Sequence, residues 1–193
     1  MIVVLGRPGL SRQGALDGTT ARIALTALHA GGDVELVGSV GDDSNGDSVV
    51  TLLGSLGVGH AAVLRDPAGV TPVEGQPGPL PRLDAADIDL GLKYIAECQV
   101  LVVAETLDGE AMRVAADSAA YHRAALIVLT PEGGDSPRVM TDTEATLLEV
   151  PAEDGGAFAE LVGRYAAALD GGRAPAEAWR DAIDETGWEP ADE

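Results

Sequence analysis

Residues 16–58 read LDGTTARIALTALHAGGDVELVGSVGDDSNGDSVVTLLGSLGV, and this stretch decides the fold. Apolar residues at helical spacing predict a helix from about 19 to 30, which ends at the Gly31-Gly32 pair. A mostly apolar run over 34–40 predicts an interior strand. The polar turn after it supplies an N-cap for a second helix from about 44 to 56. Helix, strand and helix with short joints indicate an α/β protein.

The rest of the chain continues this alternation. Short aliphatic runs predict strands at 2–5, 100–104, 126–129 and 146–150. Apolar stripes predict helices within 83–98, 108–122 and 157–169, the first of them capped by Asp84 or Asp87. Strands that alternate with helices favour a mostly parallel sheet with right-handed crossovers.

The length of 193 residues fits one domain, spanning 1–193. Within it, residues 65–83 carry many prolines and glycines and predict an extended connector. The last residues, 187–193, form an acidic tail that we expect to fray. The connector is open to two interpretations, a plain surface loop or a proline-rich ligand for another domain.

Composition excludes several classes of function. The chain has 12 Lys plus Arg against 32 Asp plus Glu, which gives a formal net charge of −20. Such a charge repels phosphate backbones and anionic bilayers, so neither nucleic acid nor membrane is an expected partner. No apolar run is long enough to span a bilayer, and residence in the cytoplasm is the default expectation. The single cysteine, Cys98, opens an apolar run and is expected in the core.

The turn after the strand at 34–40 carries the most specific pattern in the chain. It follows the spacing Gly-x-Val-Gly-Asp-Asp-x-x-Gly, with Gly38, Val40, Gly41, Asp42, Asp43 and Gly46. This pattern resembles the N-terminal signature of the ribokinase-like sugar kinases, also called the phosphofructokinase B family. The resemblance implies a three-layer fold, in which a mostly parallel sheet is flanked by helices. It covers residues 1–64 closely and 84–185 loosely.

The start of the first helix departs from the resembled family. Family members open this helix with Gly-Gly-x-Gly-Ala-Asn, whose backbone amides and Asn hold the sugar. Here the corresponding positions include Asp17, Gly18 and Arg22, and the Asn is replaced by the arginine. Two interpretations stay open: a helix turn capped by Asp17 or Thr19, or a ligand site in which Arg22 binds an anionic group.

The lid of the family is also reduced. Its first strand leads to a sugar-binding Asp and a lid strand, but residues 6–16 contain no acidic group and leave no room for that strand. The lid and core strands expected near 68–70 are replaced by the connector at 65–83. The nucleotide-binding part is reduced too, since only a few residues separate the strand at 146–150 from the next helix.

The last family signature, Gly-Ala-Gly-Asp before a helix, falls on residues near Ala157-Phe158. In the family its glycine amides form an anion hole and its Asp is the general base. Gly155 and Gly156 are then a remnant of the anion hole, and Gly156 occupies the position of the base. Asp154 is the nearest carboxylate that could replace it. No catalytic residue is assigned.

Two acidic positions complete the candidate site. Asp42 lies in the signature turn, and Glu105 follows the strand at 100–104, where the family often has Gln or Glu. Glu105 is either a residue lining the ligand crevice or a solvated residue at a helix start. With Asp17, Gly18 and Arg22, these two form the predicted substrate-binding set. No metal site is expected, because the acidic turn lacks a closing bidentate Glu and the histidines lack paired ligand spacing.

The function expected from this sequence is that of a degenerate ribokinase-like protein, which binds a small polyol, a nucleoside or a protein partner without catalysis. No cofactor is assigned to it. The alternative is an active ATP-dependent sugar or nucleoside kinase, which would use ATP, magnesium and Asp154.

We predict a homodimer formed through the reduced lid. Loss of the lid leaves an apolar sheet face or edge that a second subunit can cover. Light scattering at micromolar concentration should therefore give twice the monomer mass. A monomer mass at that concentration would contradict the prediction.

Overall fold

The computed structural model describes residues 1–133, 144–151 and 155–188. Its strands are β1 (Ile2–Leu5), β2 (Gly9–Leu10), β3 (Leu16–Asp17), β4 (Val34–Gly41), β5 (Gly59–Asp66), β6 (Val100–Val103), β7 (Ala125–Pro131) and β8 (Ala145–Val150). Its helices are α1 (Thr19–His29), α2 (Ser44–Leu56), α3 (Ala85–Leu92), α4 (Gly109–His122), α5 (Gly155–Asp170) and α6 (Pro175–Thr186).

Six strands form one sheet in the order β5-β4-β1-β6-β7-β8, and every pair in it is parallel. One face packs against α1, α2 and α5, with α6 packed on α5, and the other face packs against α3 and α4. This three-layer arrangement confirms the predicted fold class. Since all strands run the same way, their carboxyl ends meet at one edge, where parallel sheets usually bind ligands.

The central strand β1 explains how the two layers of helices are held on one sheet. Its side chains alternate, with Ile2 and Val4 in one core and Val3 and Leu5 in the other. All four are completely buried. Burial of aliphatic side chains of this size stabilises the fold by roughly 1.5 to 3 kcal/mol each. This short aliphatic run therefore contributes to the hydrophobic cores on both faces of the sheet.

Glycine is required at Gly38 of the signature pattern, where β4 passes close to the residue that follows β1. A Cβ at Gly38 of β4 would collide with the carbonyl oxygen of Gly6, which follows the neighbouring strand. Only glycine allows this close approach. The pattern from Gly38 to Gly46 therefore specifies how the strands end, which is an architectural role.

Asp43 ties three parts of the chain together just beyond β4. Its carboxylate caps α2 by accepting a hydrogen bond from the amide of Gly46 at 2.7 Å. It also accepts bonds from the amide of Thr71 at 2.9 Å and from the hydroxyl of Thr71 at 2.8 Å. The Thr71 hydroxyl in turn accepts a bond from the amide of Gly41 at 2.9 Å. The signature turn, the second helix and the connector are thus one hydrogen-bonded unit.

The connector is therefore more than a surface loop. Thr71 is 1% exposed, and the Pro72 carbonyl accepts a bond from the amide of Leu10 at 2.9 Å. Val73 also forms an isolated bridge with Leu10. The connector packs over the carboxyl edge because it supplies partners for backbone groups that would otherwise be buried without any.

Two local predictions need correction. Residues 6–16 were expected to leave no room for a further strand, but β2 and β3 form an antiparallel pair two residues long. The first helix is not capped by Asp17 or Thr19: Gly18 is its N-cap residue, no side chain caps it, and the Asp17 carboxylate binds Arg22 instead. The capping prediction for α3 is confirmed, with Asp84 and Asp87 in a capping box.

Cys98 lies in the core between α3 and β6, as predicted. Burial raises the pKa of its thiol to about 11, so the thiol is protonated and unreactive at neutral pH. Among the helices of the described residues, none combines the length and apolar character needed to cross a membrane.

We predict that Asp43→Ala lowers the free energy of unfolding by about 2 to 3 kcal/mol, because the variant loses a helix cap and leaves Thr71 without its partner. Burial raises the pKa of the Asp43 carboxyl, but the bonds from Thr71 and Gly46 together lower it below the ordinary value. Its contribution is therefore full above the ordinary carboxyl pKa and is lost as the pH falls through the lowered one.

Urea denaturation at pH 7 and at about pH 3 measures both effects. Asp42→Ala is the matched control, because the neighbouring Asp42 is exposed and its nearest cation, Arg65, is 3.9 Å away. The control should change stability by less than about 0.5 kcal/mol. Equal losses in the two variants would contradict the role assigned to Asp43.

Candidate functional site

The carboxyl edge of the sheet carries an open depression of 270 Å³ beside β1. It is lined by Arg7, Gly9, Leu10, Asp17, Gly18, Pro72, Val73 and Glu74. These residues come from the end of β1, the short lid pair, the start of α1 and the connector. We call this the lid depression. Its walls combine carboxylates, one guanidinium and aliphatic side chains.

A second depression of 410 Å³ lies at the same edge, beyond β6 and β7. It is lined by Ala104, Glu105, Thr106, Leu129, Thr130, Pro131, Glu132 and Val150. We call this the β7 depression. The prediction that Glu105 lies at the carboxyl edge agrees with this position, because β6 ends two residues before it.

An ion pair between Arg7 and Glu105 connects the two depressions. The guanidinium donates to the carboxylate, and the amide of Arg7 donates to the other carboxylate oxygen at 3.2 Å. Arg7 Nε donates to the Pro81 carbonyl at 2.5 Å, which anchors the far end of the connector. The side chains are only 17% and 22% exposed. Burial raises the pKa of Glu105, and the Arg7 charge and amide offset this rise only in part.

The start of α1 and the start of α5 meet near the β2–β3 pair. Arg22 Nε donates to the Asp17 carboxylate at 2.8 Å. A Cβ at Gly156, in the first turn of α5, would lie 3.1 Å from the Arg22 guanidinium. Arg22 also lines an open depression of 460 Å³ that includes Asp17, Glu74 and Glu160. Tertiary structure thus brings Asp17, Arg22 and Gly156 together.

The predicted site residues therefore fall into groups. Asp17 and Gly18 line the lid depression, and Glu105 is joined to it through Arg7. Asp42 is separate, with its side chain 61% exposed and paired with Arg65 at 3.9 Å. Gly155 is the first residue of α5. The alternative base, Asp154, lies outside the described residues.

Sequence reasoning missed Arg7 and the connector residues Pro72, Val73 and Glu74. A signal for Arg7 was present, because it follows a fully buried strand and so had to lie at the carboxyl edge. The connector residues had no comparable signal. Their place depends on Thr71, whose contact with Asp43 joins positions 28 residues apart.

The described residues show no cluster of metal-binding side chains. No group of three or more His, Cys, Asp or Glu side chains among them is arranged to hold a metal ion. The Ser39 hydroxyl, in β4 near the same edge, is buried without a hydrogen-bond partner among these residues.

Comparison with known proteins gives a consistent answer for the fold. The ribokinase of Arabidopsis thaliana, solved with ribose and ATP, superposes with a TM-score of 0.71 at 14% identity, covering 96% of this chain and 90% of that one. Phosphofructokinase-2 of Escherichia coli, solved with fructose-6-phosphate, gives 0.67 at 14% identity, with coverage of 96% and 91%. A carbohydrate kinase from Agrobacterium tumefaciens gives 0.66 at 13% identity, with coverage of 96% and 89%.

No protein-family model and no curated protein sequence matches the chain. The structural neighbours nevertheless agree with one another, and they define its class: the chain has the α/β fold of the ribokinase-like carbohydrate kinases. At 13% to 14% identity, this likeness establishes the fold and leaves the activity to be argued from the site.

We predict that Arg7→Met lowers the free energy of unfolding by about 2 to 3 kcal/mol at pH 8, because it leaves the Glu105 carboxylate buried without a counter-ion. The loss should be smaller at pH 5. Without Arg7 the pKa of Glu105 rises further, so the folded variant can take up a proton there and gains stability as the pH falls through that value.

Urea denaturation of Arg7→Met at the two pH values tests this prediction. The double variant Arg7→Met/Glu105→Gln is the control, because it removes the uncompensated charge and should also remove most of the pH dependence. A loss in Arg7→Met that is the same at both pH values would show that the stranded carboxylate is not its cause.

Proposed function

We propose that this chain is a catalytically degenerate ribokinase-like protein that binds a small polyol or nucleoside in the lid depression. One observation carries the proposal: at the start of α5 the chain has Gly156, and the Arg22–Asp17 ion pair lies against it. In the family that the sequence resembles, this position carries the general base. Glycine has no side chain that can accept a proton.

The lid depression suits a polyhydroxylated ligand. The Asp17 and Glu74 carboxylates accept hydrogen bonds from hydroxyl groups, and the Arg7 guanidinium donates them. Leu10 and Val73 add apolar surface that can pack on the carbon skeleton of a ring. The volume of 270 Å³ is at the small end for ligand sites, which favours a single sugar or a nucleoside over a larger molecule.

Phosphoryl transfer requires a general base and a site for the nucleotide phosphates in addition to a site for the acceptor. A general base contributes about 100-fold to 10,000-fold, and metal-bound phosphates must be held in line with the acceptor. Magnesium in such sites is usually held by one or two carboxylates together with the phosphates of the nucleotide, and we assign no step to ATP or to a metal. Arg22 could bind an anionic group of a ligand, but its partner Asp17 already neutralises it.

The alternative is an active kinase that uses Asp154 as its base. The fold neighbour from Arabidopsis thaliana was solved with ribose and ATP, which favours testing ribose and ATP first. This alternative predicts turnover that requires Asp154, and the degenerate protein predicts none.

We expect no ATP-dependent phosphorylation of any sugar or nucleoside in a panel, with magnesium present. We also expect calorimetry without nucleotide to detect binding of at least one member of the panel. Asp17→Asn should weaken that binding by about tenfold, since it removes a charged hydrogen-bond acceptor from the wall of the depression.

Asp33→Asn is the matched control, because Asp33 is exposed before β4, at the opposite edge of the sheet. It should leave binding unchanged. Phosphorylation that Asp154→Asn abolishes would overturn the proposal and establish the kinase. Absence of both turnover and binding across the panel would overturn the assignment of a polyol or nucleoside ligand.

A further inference from the structure

One cavity of this protein lies away from the carboxyl edge. It is an open groove of 590 Å³ between α3 and α4. Both helices contribute their carboxyl-terminal halves to it, and each then leads into the start of a strand, β6 or β7. The groove therefore lies at the amino edge of the sheet, across the molecule from the lid depression.

The groove has an apolar floor and an acidic wall. Leu92, Ile95 and Val114 supply the aliphatic surface. Asp117 of α4 lines the same groove and has no ion-pair or hydrogen-bond partner among the described residues. The one lysine of the groove, Lys93, is paired with Asp89 at 2.6 Å. The Asp117 charge is thus left uncompensated.

Two further features favour a positive charge in this groove. The carboxyl ends of α3 and α4 both lie beside it, and the carboxyl end of a helix carries a partial negative charge. Tyr121 also lines it with 85% of its surface exposed, and its ring meets His122 edge to face at 5.0 Å. An exposed aromatic face attracts organic cations.

The two exposed tyrosines of this chain lie in or next to the groove. The chain has only three tyrosines, and Tyr165 is buried in the core. The other two, Tyr121 in the groove and Tyr94 between two groove residues in the chain, are 85% and 69% exposed. Tyrosines left exposed beside a concave apolar surface are typical of binding sites.

We propose that this groove is a second ligand site, specific for an organic cation with an apolar body. The ammonium group would pair with Asp117 and lie against the ring of Tyr121, while the apolar body would contact Leu92, Ile95 and Val114. The volume of 590 Å³ is within the range of small-molecule sites. This site is independent of the function proposed for the lid depression.

Phenethylammonium is a suitable probe, with 2-phenylethanol as its neutral analogue and 3-phenylpropionate as an anion. Amide chemical shifts of the full chain would be followed by NMR at pH 8 in 150 mM salt, which weakens non-specific attraction to a chain of charge −20. We expect saturable shifts in α3 and α4 with the amine, binding of the alcohol weakened about fivefold, and no binding of the anion.

Variants locate the contacts. Asp117→Asn and Tyr121→Leu should each weaken binding of the amine by about three- to fivefold, and both positions are exposed, so the fold should be kept. Asp184→Asn removes the same charge from an exposed position on α6, which packs on the other face of the sheet. This control should leave the affinity unchanged.

Several results would overturn the proposal. Equal binding of the alcohol would show that charge is not recognised, and an equal effect of Asp184→Asn would show non-specific attraction to an acidic protein. Absence of saturable shifts with the amine would exclude the site. If light scattering then gave a mass above the monomer that Tyr121→Ser lowered, the groove would be assigned to contact between copies of the chain.

Discussion

The structure of the carboxyl edge depends on the hydrogen bonds that the Asp43 carboxylate accepts. This carboxylate accepts three hydrogen bonds from α2 and from the connector, and so fixes both against the end of β4. The Thr71 hydroxyl also accepts a hydrogen bond from the amide of Gly41, which fixes the end of β4 to the connector. The connector supplies Val73 and Glu74 to the lid depression. Because Asp43 holds the connector in place, the residue that caps α2 also helps to set the shape of this depression. The signature turn therefore positions residues of the depression without lining it.

The same edge combines the fold shared with the carbohydrate kinases and a set of paired charges particular to this chain. The fold of the carbohydrate kinases is retained, with parallel strands whose ends converge on an open crevice. Two ion pairs lie in this crevice: Arg7–Glu105 joins two depressions, and Arg22 with Asp17 lies against Gly156. Each of these charged side chains has a partner within the chain.

Much of the fold could be predicted from local patterns. The bounds of α2, the cap at Asp84 and the strand at Ile2–Leu5 all follow from residues within one turn or one strand. Two local predictions were wrong. Asp17 does not cap α1, and its carboxylate instead accepts a hydrogen bond from the Arg22 guanidinium. The short lid pair was missed because two residues on each side carry no periodicity.

The sequence by itself determined the class of fold, because alternating strands and helices with glycine at the tight joints can bury their apolar faces only as a layered parallel sheet. The composition of the crevice was decided by tertiary structure. Arg7 and Glu105 are 98 residues apart, and they meet only because β1 and β6 are neighbours in the sheet. Arg22 reaches Gly156 because α1 packs on α5. Strand order and helix packing set these pairs, and no local pattern of residues encodes them.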